Sequence, residues 1–97
     1  MIRVIMEYKV KKGADILPTL QKLRWYVVTF EGFVSAENLR NEQDSSIVAM
    51  VTSWENLEQW KKWESSTLRK QILEEAKKFL QEEPKVTIYK LIPTAGW

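Results

Sequence analysis

The sequence of 97 residues contains no cysteine and no histidine, and each absence removes a class of chemistry. Without cysteine, the chain has no disulfide, thiol nucleophile or thiolate metal ligand. Without histidine, it lacks the residue that most often serves as a general base near neutral pH, as a haem ligand or as a zinc ligand. Any catalysis must therefore depend on Tyr, Lys, Arg, carboxylates or backbone groups.

Long hydrophobic runs and an excess of one charge are also lacking. The longest run of aliphatic and Met residues covers positions 47–51, far short of the roughly 20 residues that a membrane-spanning helix needs. Arg3 and Glu7 interrupt the N-terminal hydrophobic residues, so we expect no signal peptide and a cytoplasmic protein. Fifteen Lys and Arg against thirteen Asp and Glu give a formal charge of +2, which requires neither nucleic acid nor a membrane as a partner.

Acidic residues do not follow the spacing of a metal site. Glu74 and Glu75 are adjacent and therefore point in different directions on a helix, and Glu82 and Glu83 lie near a helix end. The segment IVAMVTSW carries no Lys, Arg or Phe, so the aromatic and basic signature of an RNA-binding sheet is missing. We expect no metal and no nucleic acid.

The length suits one domain over residues 1–97, with a core over 2–92 and a tail over 93–97. A chain of this size buries only roughly 60 to 70% of the surface that it exposes when unfolded. Self-association would cover apolar surface that the monomer cannot hide. The length therefore favours a homodimer.

Hydrophobic spacing predicts the first strand and the first helix. The strand alternates apolar and polar positions, and the apolar ones are Ile2, Val4, Met6, Tyr8 and Val10. Asp15 is a candidate helix cap, Pro18 is tolerated in the first turn, and Gly32 is placed to end the helix. The buried stripe of this helix is expected at Ile16, Leu20, Leu23 and Val27.

Two strand-like runs, 33–39 and 47–54, flank a polar connector over 40–46 and predict an antiparallel hairpin. The second run is apolar on both faces: Ile47, Ala49 and Val51 point one way, and Val48, Met50 and Trp54 point the other. Such a strand is central and needs a cover on each side. Helices can cover one side, and a second copy of the sheet is the best cover for the other.

Two further helices and a strand complete the pattern. Asn56 and Gln59 form a capping pair for a helix with Leu57, Trp60 and Trp63 on its inner side. Ser65 and Ser66 can begin the next helix. Its expected apolar stripe is Leu68, Ile72, Leu73, Ala76, Phe79 and Leu80, and its water-facing residues are Arg69, Glu74, Glu75, Lys77 and Lys78. Pro84 stops this helix, and 85–92 is the last strand.

The order β-α-β-β-α-α-β predicts a ferredoxin-like α+β fold, a four-stranded antiparallel sheet with helices on one face. The stretches EGFVSAENLRNE, IVAMVTSW, ENLEQWKKW and KVTIYKLI resemble the antibiotic biosynthesis monooxygenase family of dimeric α/β barrels. The resemblance covers residues 2–92. Its most specific elements are Gly32 and Phe33 before the second strand, Trp54 at the end of the third, and Trp63 nine residues later.

The resemblance implies a homodimer with two sheets packed face to face and a pocket between sheet and helices in each subunit. The family includes haem-degrading enzymes, whose crowding tryptophan matches Trp63. Their iron-binding histidine falls at Leu73 here, and their asparagine on the first strand aligns near Met6. Haem degradation is therefore disfavoured.

The family also includes cofactor-independent oxygenases of anthrones and quinols, substrates that can themselves reduce O₂. Trp54 matches a pocket tryptophan of these enzymes, while the asparagine four residues earlier is Met50 here. Candidate walls of an apolar pocket for a small aromatic ligand are Trp54, Trp63 and Tyr26, with Arg24, Asn38 and Tyr89 as candidate polar contacts. Met6, Met50 and Leu73 are further candidate residues of this pocket. No cofactor and no metal are implied.

Three functions stay open at this point. The chain could be a cofactor-independent monooxygenase, a non-catalytic ligand-binding or regulatory dimer, or a structural domain whose pocket is filled by its own indoles. Lys9, Lys11 and Lys12 form a basic group that reads as a solvated strand end, with an anion site as the alternative.

Overall fold

The computed structural model describes residues 1–94, and its elements follow the predicted order. They are β1 (Ile2–Lys9), α1 (Leu17–Val27), β2 (Phe33–Arg40), β3 (Ile47–Trp54), α2 (Leu57–Glu64), α3 (Thr67–Ala76), a 3₁₀ turn (Lys77–Phe79) and β4 (Lys85–Lys90). Within this range the strands form a four-stranded antiparallel sheet in the order β2-β3-β1-β4. The predicted ferredoxin-like α+β fold is confirmed. The predicted tail, 93–97, extends beyond the described residues.

Alternation along β1 and β3 gives the sheet two different faces. Ile2 pairs with Trp54 and Met6 pairs with Met50, and all four side chains are buried beneath the helices. The opposite face carries Ile5, Ala49 and Val51, which are only half-buried in the single chain. The prediction that β3 is a central strand with apolar residues on both faces is confirmed.

α1 buries the predicted stripe, but its ends differ from the prediction. Ile16, at the N-cap position, and Leu20, Leu23 and Val27 within the helix are all buried. Asp15 lies one residue before the cap, where its Oδ1 accepts a hydrogen bond from the amide of Leu17 at 3.0 Å. It therefore satisfies a first-turn donor without being the cap residue. The helix ends at Val27, five residues before Gly32, which instead turns the chain into β2 with φ +85°.

The predicted cap residues of α2 and α3 are confirmed, but the side chain of Gln59 makes no return bond to Asn56. Asn56 Oδ1 accepts from the amide of Gln59 at 3.0 Å, and Ser66 Oγ accepts from the amide of Arg69 at 3.2 Å. Leu57, predicted on the inner side, is 39% exposed. Residues three apart on a helix drift by about 60°, so Leu57 and Trp63 lie about 120° apart and cannot both face the sheet.

The water-facing position predicted for Arg69 is wrong, because this side chain is only 8% exposed. Arg69, Ile72 and Ala76 are spaced by three and four residues and form the buried stripe of α3. α3 ends at Ala76, so the predicted continuation to Leu80 is a 3₁₀ turn, and β4 stops at Lys90 rather than at 92. Within residues 1–94, every helix falls short of the length and apolarity needed to cross a bilayer.

Two glycines with positive φ provide a matched test of packing at the start of β2. An added Cβ at Gly32 would overlap side-chain atoms of Gln59 and lie 2.8 Å from the Cβ of that residue, whereas an added Cβ at Gly13 meets nothing within 4 Å. We expect Gly13→Ala to lower the free energy of unfolding by about 1–2 kcal/mol through backbone strain alone. Gly32→Ala should cost about 1–3 kcal/mol more. Urea denaturation followed by circular dichroism measures both, and equal losses would contradict the predicted collision.

Candidate functional site

Five rings, here called the aromatic cluster, gather where β3 ends and α2 begins: Phe30, Phe33, Trp54, Trp60 and Trp63. Trp54 is 0% exposed, and its ring centre lies 5.7 Å from that of Phe33 and 6.1 Å from that of Trp60, both edge to face. Phe30 meets Trp63 in the same way at 4.8 Å. The arrangement follows from the chain, because α2 starts three residues after Trp54 and returns its own indoles over the sheet.

The polar atoms of these indoles are used unequally. Trp54 Nε1 donates to Oγ1 of the buried Thr52 at 2.9 Å, so this donor is satisfied within β3. Trp60 Nε1 is buried without a partner among residues 1–94, and so is Oε1 of its neighbour Gln59. A buried donor without an acceptor costs free energy. Trp60 therefore holds an unused hydrogen-bond donor inside the protein.

Arg69 reaches into the same region from α3. Its Nη1 donates to the backbone oxygen of Glu64 at 3.3 Å, and its Nη2 contacts Sδ of Met6 at 3.4 Å. The guanidinium carbon lies 5.3 Å from the ring centre of Trp60. No carboxylate oxygen of residues 1–94 comes within 4.0 Å of its nitrogen atoms. Arg69 is thus a buried cation whose contacts are a ring, a thioether and one carbonyl.

Burial sets the protonation of this region. It lowers the pKa of Arg69, against the opposing effects of Tyr8 and Glu64. It raises the pKa of Tyr8 to about 12, against the opposing positive charge of Arg69. Near neutral pH, Tyr8 is therefore an uncharged phenol. The interior holds a positive charge that could stabilise a bound anion.

The nearest open space is a cleft of about 420 Å³ at the same end of the sheet. Its lining includes Ile2, which pairs with Trp54, together with Leu57 and Ile88. Ile88 and Val86 belong to the helix-side face of β4, yet both are exposed, because the helices leave this edge strand uncovered. The clefts of about 290 to 420 Å³ found on residues 1–94 are not lined by the indoles of the aromatic cluster. The rings fill the space between sheet and α2.

The structure brings five of the nine sequence-predicted site residues together. Trp54, Met6 and Met50 are buried on the helix-covered face of the sheet, Trp63 is buried on α2, and Leu73 packs against the same core from α3. Met6 and Met50 are direct partners across β1 and β3. Among residues 1–94, no three or more acidic side chains gather to hold a metal ion.

The other four predicted residues lie elsewhere. Arg24 Nη1 donates to the backbone oxygen of Ala36 at 2.7 Å and so ties α1 to β2. Tyr26 and Asn38 are exposed, and Tyr89, 56% exposed, lies on the opposite face of the sheet. Arg69 was not among the site residues predicted from the sequence. Its spacing from Ile72 and Ala76 is the signal that could have found it.

Comparisons with known proteins agree with this fold. A family model described as antibiotic biosynthesis monooxygenase matches residues 1–79. A conserved protein from Methanosarcina mazei Go1 is 21% identical, with a TM-score of 0.83 over 92% of this chain and 90% of that one. Rv0793 from Mycobacterium tuberculosis is 11% identical, with a TM-score of 0.85 over 98% of each chain. A search of curated proteins found no match.

One of the similar structures carries an activity in its description. It is SnoaB, a cofactor-independent oxygenase from Streptomyces nogalater, which is 10% identical, with a TM-score of 0.83 over 97% of this chain and 95% of that one. At this identity the similarity establishes a shared fold only.

The raised pKa of Tyr8 predicts a loss of stability in alkali. The folded-state pKa is about 12 against 10.0 for the model compound, so the unfolded state releases the proton first as pH rises. The contribution of the protonated Tyr8 phenol to the free energy of unfolding is complete below pH ~10. It is lost as pH rises to and past ~12, and the total loss is about 2–3 kcal/mol. Urea unfolding from pH 9 to 12 should show a steeper decline for the natural protein than for Tyr8→Phe. Equal slopes would contradict the burial of this phenol.

Proposed function

Because the chain belongs to the antibiotic biosynthesis monooxygenase family, we propose that it is a cofactor-independent monooxygenase of a quinol- or anthrone-like aromatic compound. The observation that carries this proposal is the guanidinium of Arg69, buried against the ring of Trp60 without a carboxylate partner. Such a charge favours a substrate that binds as an anion. In this proposal residues 1–97 act as one cytoplasmic domain.

The proposed substrate site is the cleft at the Trp54 end together with the adjoining part of the aromatic cluster. The cleft volume of about 420 Å³ lies within the range of small-molecule sites. Along β4, Val86 follows the same face as Ile88 of the cleft and pairs with Met6, the residue that Arg69 contacts. Val86 lies two residues along β4 from Ile88. The lining of the cleft contains neither Arg69 nor an aromatic residue, so in this proposal a flat ring enters beside Ile88 and moves beyond the lining to reach the cation.

In this proposal Arg69 replaces a hydrogen-bond donor that anthrone oxygenases have and this chain lacks. The resemblance to these oxygenases expects an asparagine at Met50, and Met50 pairs with Met6. The guanidinium reaches this pair of strand residues from α3, on the other side of the same space. In this proposal Arg69 donates to the substrate oxygen from a helix instead of from the strand.

The proposed reaction needs no external reductant. An acidic phenol or anthrone loses a proton to water, and Arg69 stabilises the resulting phenolate or enolate. The anion transfers an electron to O₂, and the two radicals combine into a peroxide at the ring carbon. Loss of water then leaves a carbonyl, so a CH₂ group and O₂ become C=O and H₂O. The aromatic cluster excludes water, while Tyr8, uncharged at neutral pH, is unsuited to act as a base.

A non-catalytic ligand-binding or regulatory dimer is the second candidate. The bond from Trp54 Nε1 to Thr52 Oγ1 favours it, because this indole donor is already occupied. In that case the same cleft and the same cation would bind an aromatic anion without promoting its oxidation. The two candidates differ in O₂ consumption and agree in ligand affinity.

Oxygen uptake with dithranol and 1,4-naphthohydroquinone separates these functions. We expect the natural protein to exceed the autoxidation rate and Arg69→Met to lower kcat/KM by about 10- to 100-fold, the value of a hydrogen bond to a charged group. Arg69→Lys should retain part of the activity. Lys70→Met, which removes the exposed neighbouring charge on α3, is the matched control.

The outcomes of this assay are distinct. Fluorescence quenching by the ligand without oxygen uptake would favour the binding protein. Neither binding nor uptake would contradict both candidates. Equal activity of Arg69→Met and the natural protein would remove Arg69 from the mechanism. Melting temperatures control for folding, and we expect little change in Arg69→Met because no buried ionic partner is left behind.

We further propose that two copies pack through the uncovered sheet face. Ile5 and Val51 pair at its centre, and the exposed Tyr89 lies near its edge. Glu7 and Lys85 pair on the same face, so the face carries both signs of charge. A twofold axis could place such a surface against itself without placing like charges opposite each other.

A charge at the centre of this face should prevent dimerisation. Val51→Glu would bury a carboxylate between the sheets, and we expect a monomer or unfolded protein in size-exclusion chromatography with light scattering. Val28→Glu is the matched control, because Val28 is 51% exposed just after α1. A folded dimer of Val51→Glu would contradict packing through this face.

A further inference from the structure

A group of cations without a carboxylate within 4.0 Å lies at the other end of the sheet. There a pocket of about 350 Å³ is bounded by the loop after β1, the end of β2 and the start of β3. β1 pairs Ile2 with Trp54 at one end and Lys9 with Ile47 at the other. Eight residues of strand separate the two ends by about 23 Å. This pocket is therefore distinct from the cleft at the Trp54 end, and neither Arg69 nor a residue of the aromatic cluster lines it.

The pocket has an apolar floor and a cationic rim. Val10, Ile16 and Val48 are buried residues that contribute to its lining. The charged residues of the lining are Lys11, Lys12 and Arg40, and none of the lining residues is Asp or Glu. Among residues 1–94, none of these three cations has a carboxylate within 4.0 Å.

Three carboxylates lie close in sequence: Glu42 is exposed, and Asp15 and Asp44 accept local hydrogen bonds. Asp15 accepts from the amide of Leu17 at 3.0 Å. Asp44 accepts from Ser46, from the hydroxyl at 2.6 Å and from the amide at 3.0 Å. These bonds, together with Lys9, hold the pKa of Asp44 below its usual value. Asp44 is thus ionised and opposes an anion, but Lys9 partly offsets it, and the rim cations are left without partners.

Hydrogen bonds between separate segments fix the walls of the pocket. The amide of Val10 donates to the oxygen of Ser46 at 2.8 Å, and Gln81 Nε2 donates to the oxygen of Val10 at 2.9 Å. The amide of Gln81 also donates to the oxygen of Lys9 at 2.8 Å. The loop after β1 is closed by a turn in which Gly13 has φ +80°. The pocket is therefore formed before any ligand arrives.

We propose that this pocket binds a small organic oxyanion, an aromatic ring or short chain that bears a phosphate or carboxylate group. The apolar body of the ligand covers Val10, Ile16 and Val48. The anionic group meets the guanidinium of Arg40, which can bind either oxyanion in a bidentate manner, and the ammonium groups of Lys11 and Lys12. A volume of about 350 Å³ limits the ligand to roughly the size of one substituted ring.

Titration of the ¹⁵N-labelled protein at low salt tests this site, with phenyl phosphate, benzoate, inorganic phosphate and benzyl alcohol as probes. We expect saturable shifts for the amides of residues 10–16, 45–48 and 81, and none that saturate near Trp54. Phenyl phosphate should bind at least tenfold more tightly than inorganic phosphate, which lacks the apolar ring, and than benzyl alcohol, which lacks the anionic group. Phenyl phosphate and benzoate together distinguish a phosphate preference from a carboxylate preference.

Charge variants distinguish specific binding in this pocket from non-specific attraction of an anion to surface lysines. Lys12→Gln with Arg40→Gln should weaken phenyl phosphate binding at least tenfold, whereas Lys61→Gln with Lys62→Gln removes the same charge from exposed α2 positions and should leave it unchanged. Lys12→Gln alone, at an exposed loop position, serves if the double variant does not fold. Equal weakening by both pairs, shifts spread over all exposed lysines, or no saturable binding would each overturn the proposal. None of these results depends on oxygenase activity.

Discussion

The contact between Arg69 and Trp60 is the interaction on which the proposed chemistry depends. A desolvated cation–π contact contributes about 2 kcal/mol, less than the several kcal/mol that burial of a guanidinium costs. The carbonyl of Glu64 and the thioether of Met6 narrow this difference without supplying a negative charge. A protein that needed only packing at this position would gain by placing an apolar residue there. The carboxylate of Glu64 raises the pKa of Arg69 from beyond 4.0 Å, and in the proposed function a bound anion supplies the close negative partner.

In the proposed reaction, Arg69 would also determine which substrates the site can use. A guanidinium stabilises an anion but does not accept a proton at neutral pH, and the chain has no histidine to do so. Burial keeps Tyr8 protonated, with a pKa of about 12. The substrate must consequently ionise by its own acidity, assisted only by the positive charge. This requirement selects acidic hydroxyaromatics, the compounds whose anions can also transfer an electron to O₂.

Local spacing predicted most of the fold, because strand and helix periods are properties of neighbouring residues. It located β3, the cap at Asn56 and the burial of Trp54 and Trp63. It failed for Arg69, because a charged residue is usually exposed, whereas the position of Arg69 on α3 places it on the buried side with Ile72 and Ala76. It could not predict the exposure of Ile88, which depends on how far three helices reach across four strands. Tyr89 faces away from the cluster because it pairs with Arg3, and a register shifted by one residue would turn its side chain to the other face of the sheet.

The two proposed anion sites would attract their ligands by different physical means. The charge of Arg69 is buried beside Trp60 and Met6, so counterions in solution screen it weakly. At the other site, Lys12 and Arg40 are exposed, and attraction to an oxyanion there falls as ionic strength rises. A buried cation beside rings selects a flat, delocalised anion, whereas an exposed rim selects a compact phosphate or carboxylate. Binding that weakens strongly with added salt would therefore assign a ligand to the exposed rim, and binding that changes little would assign it to the site of Arg69, without a structure of the complex.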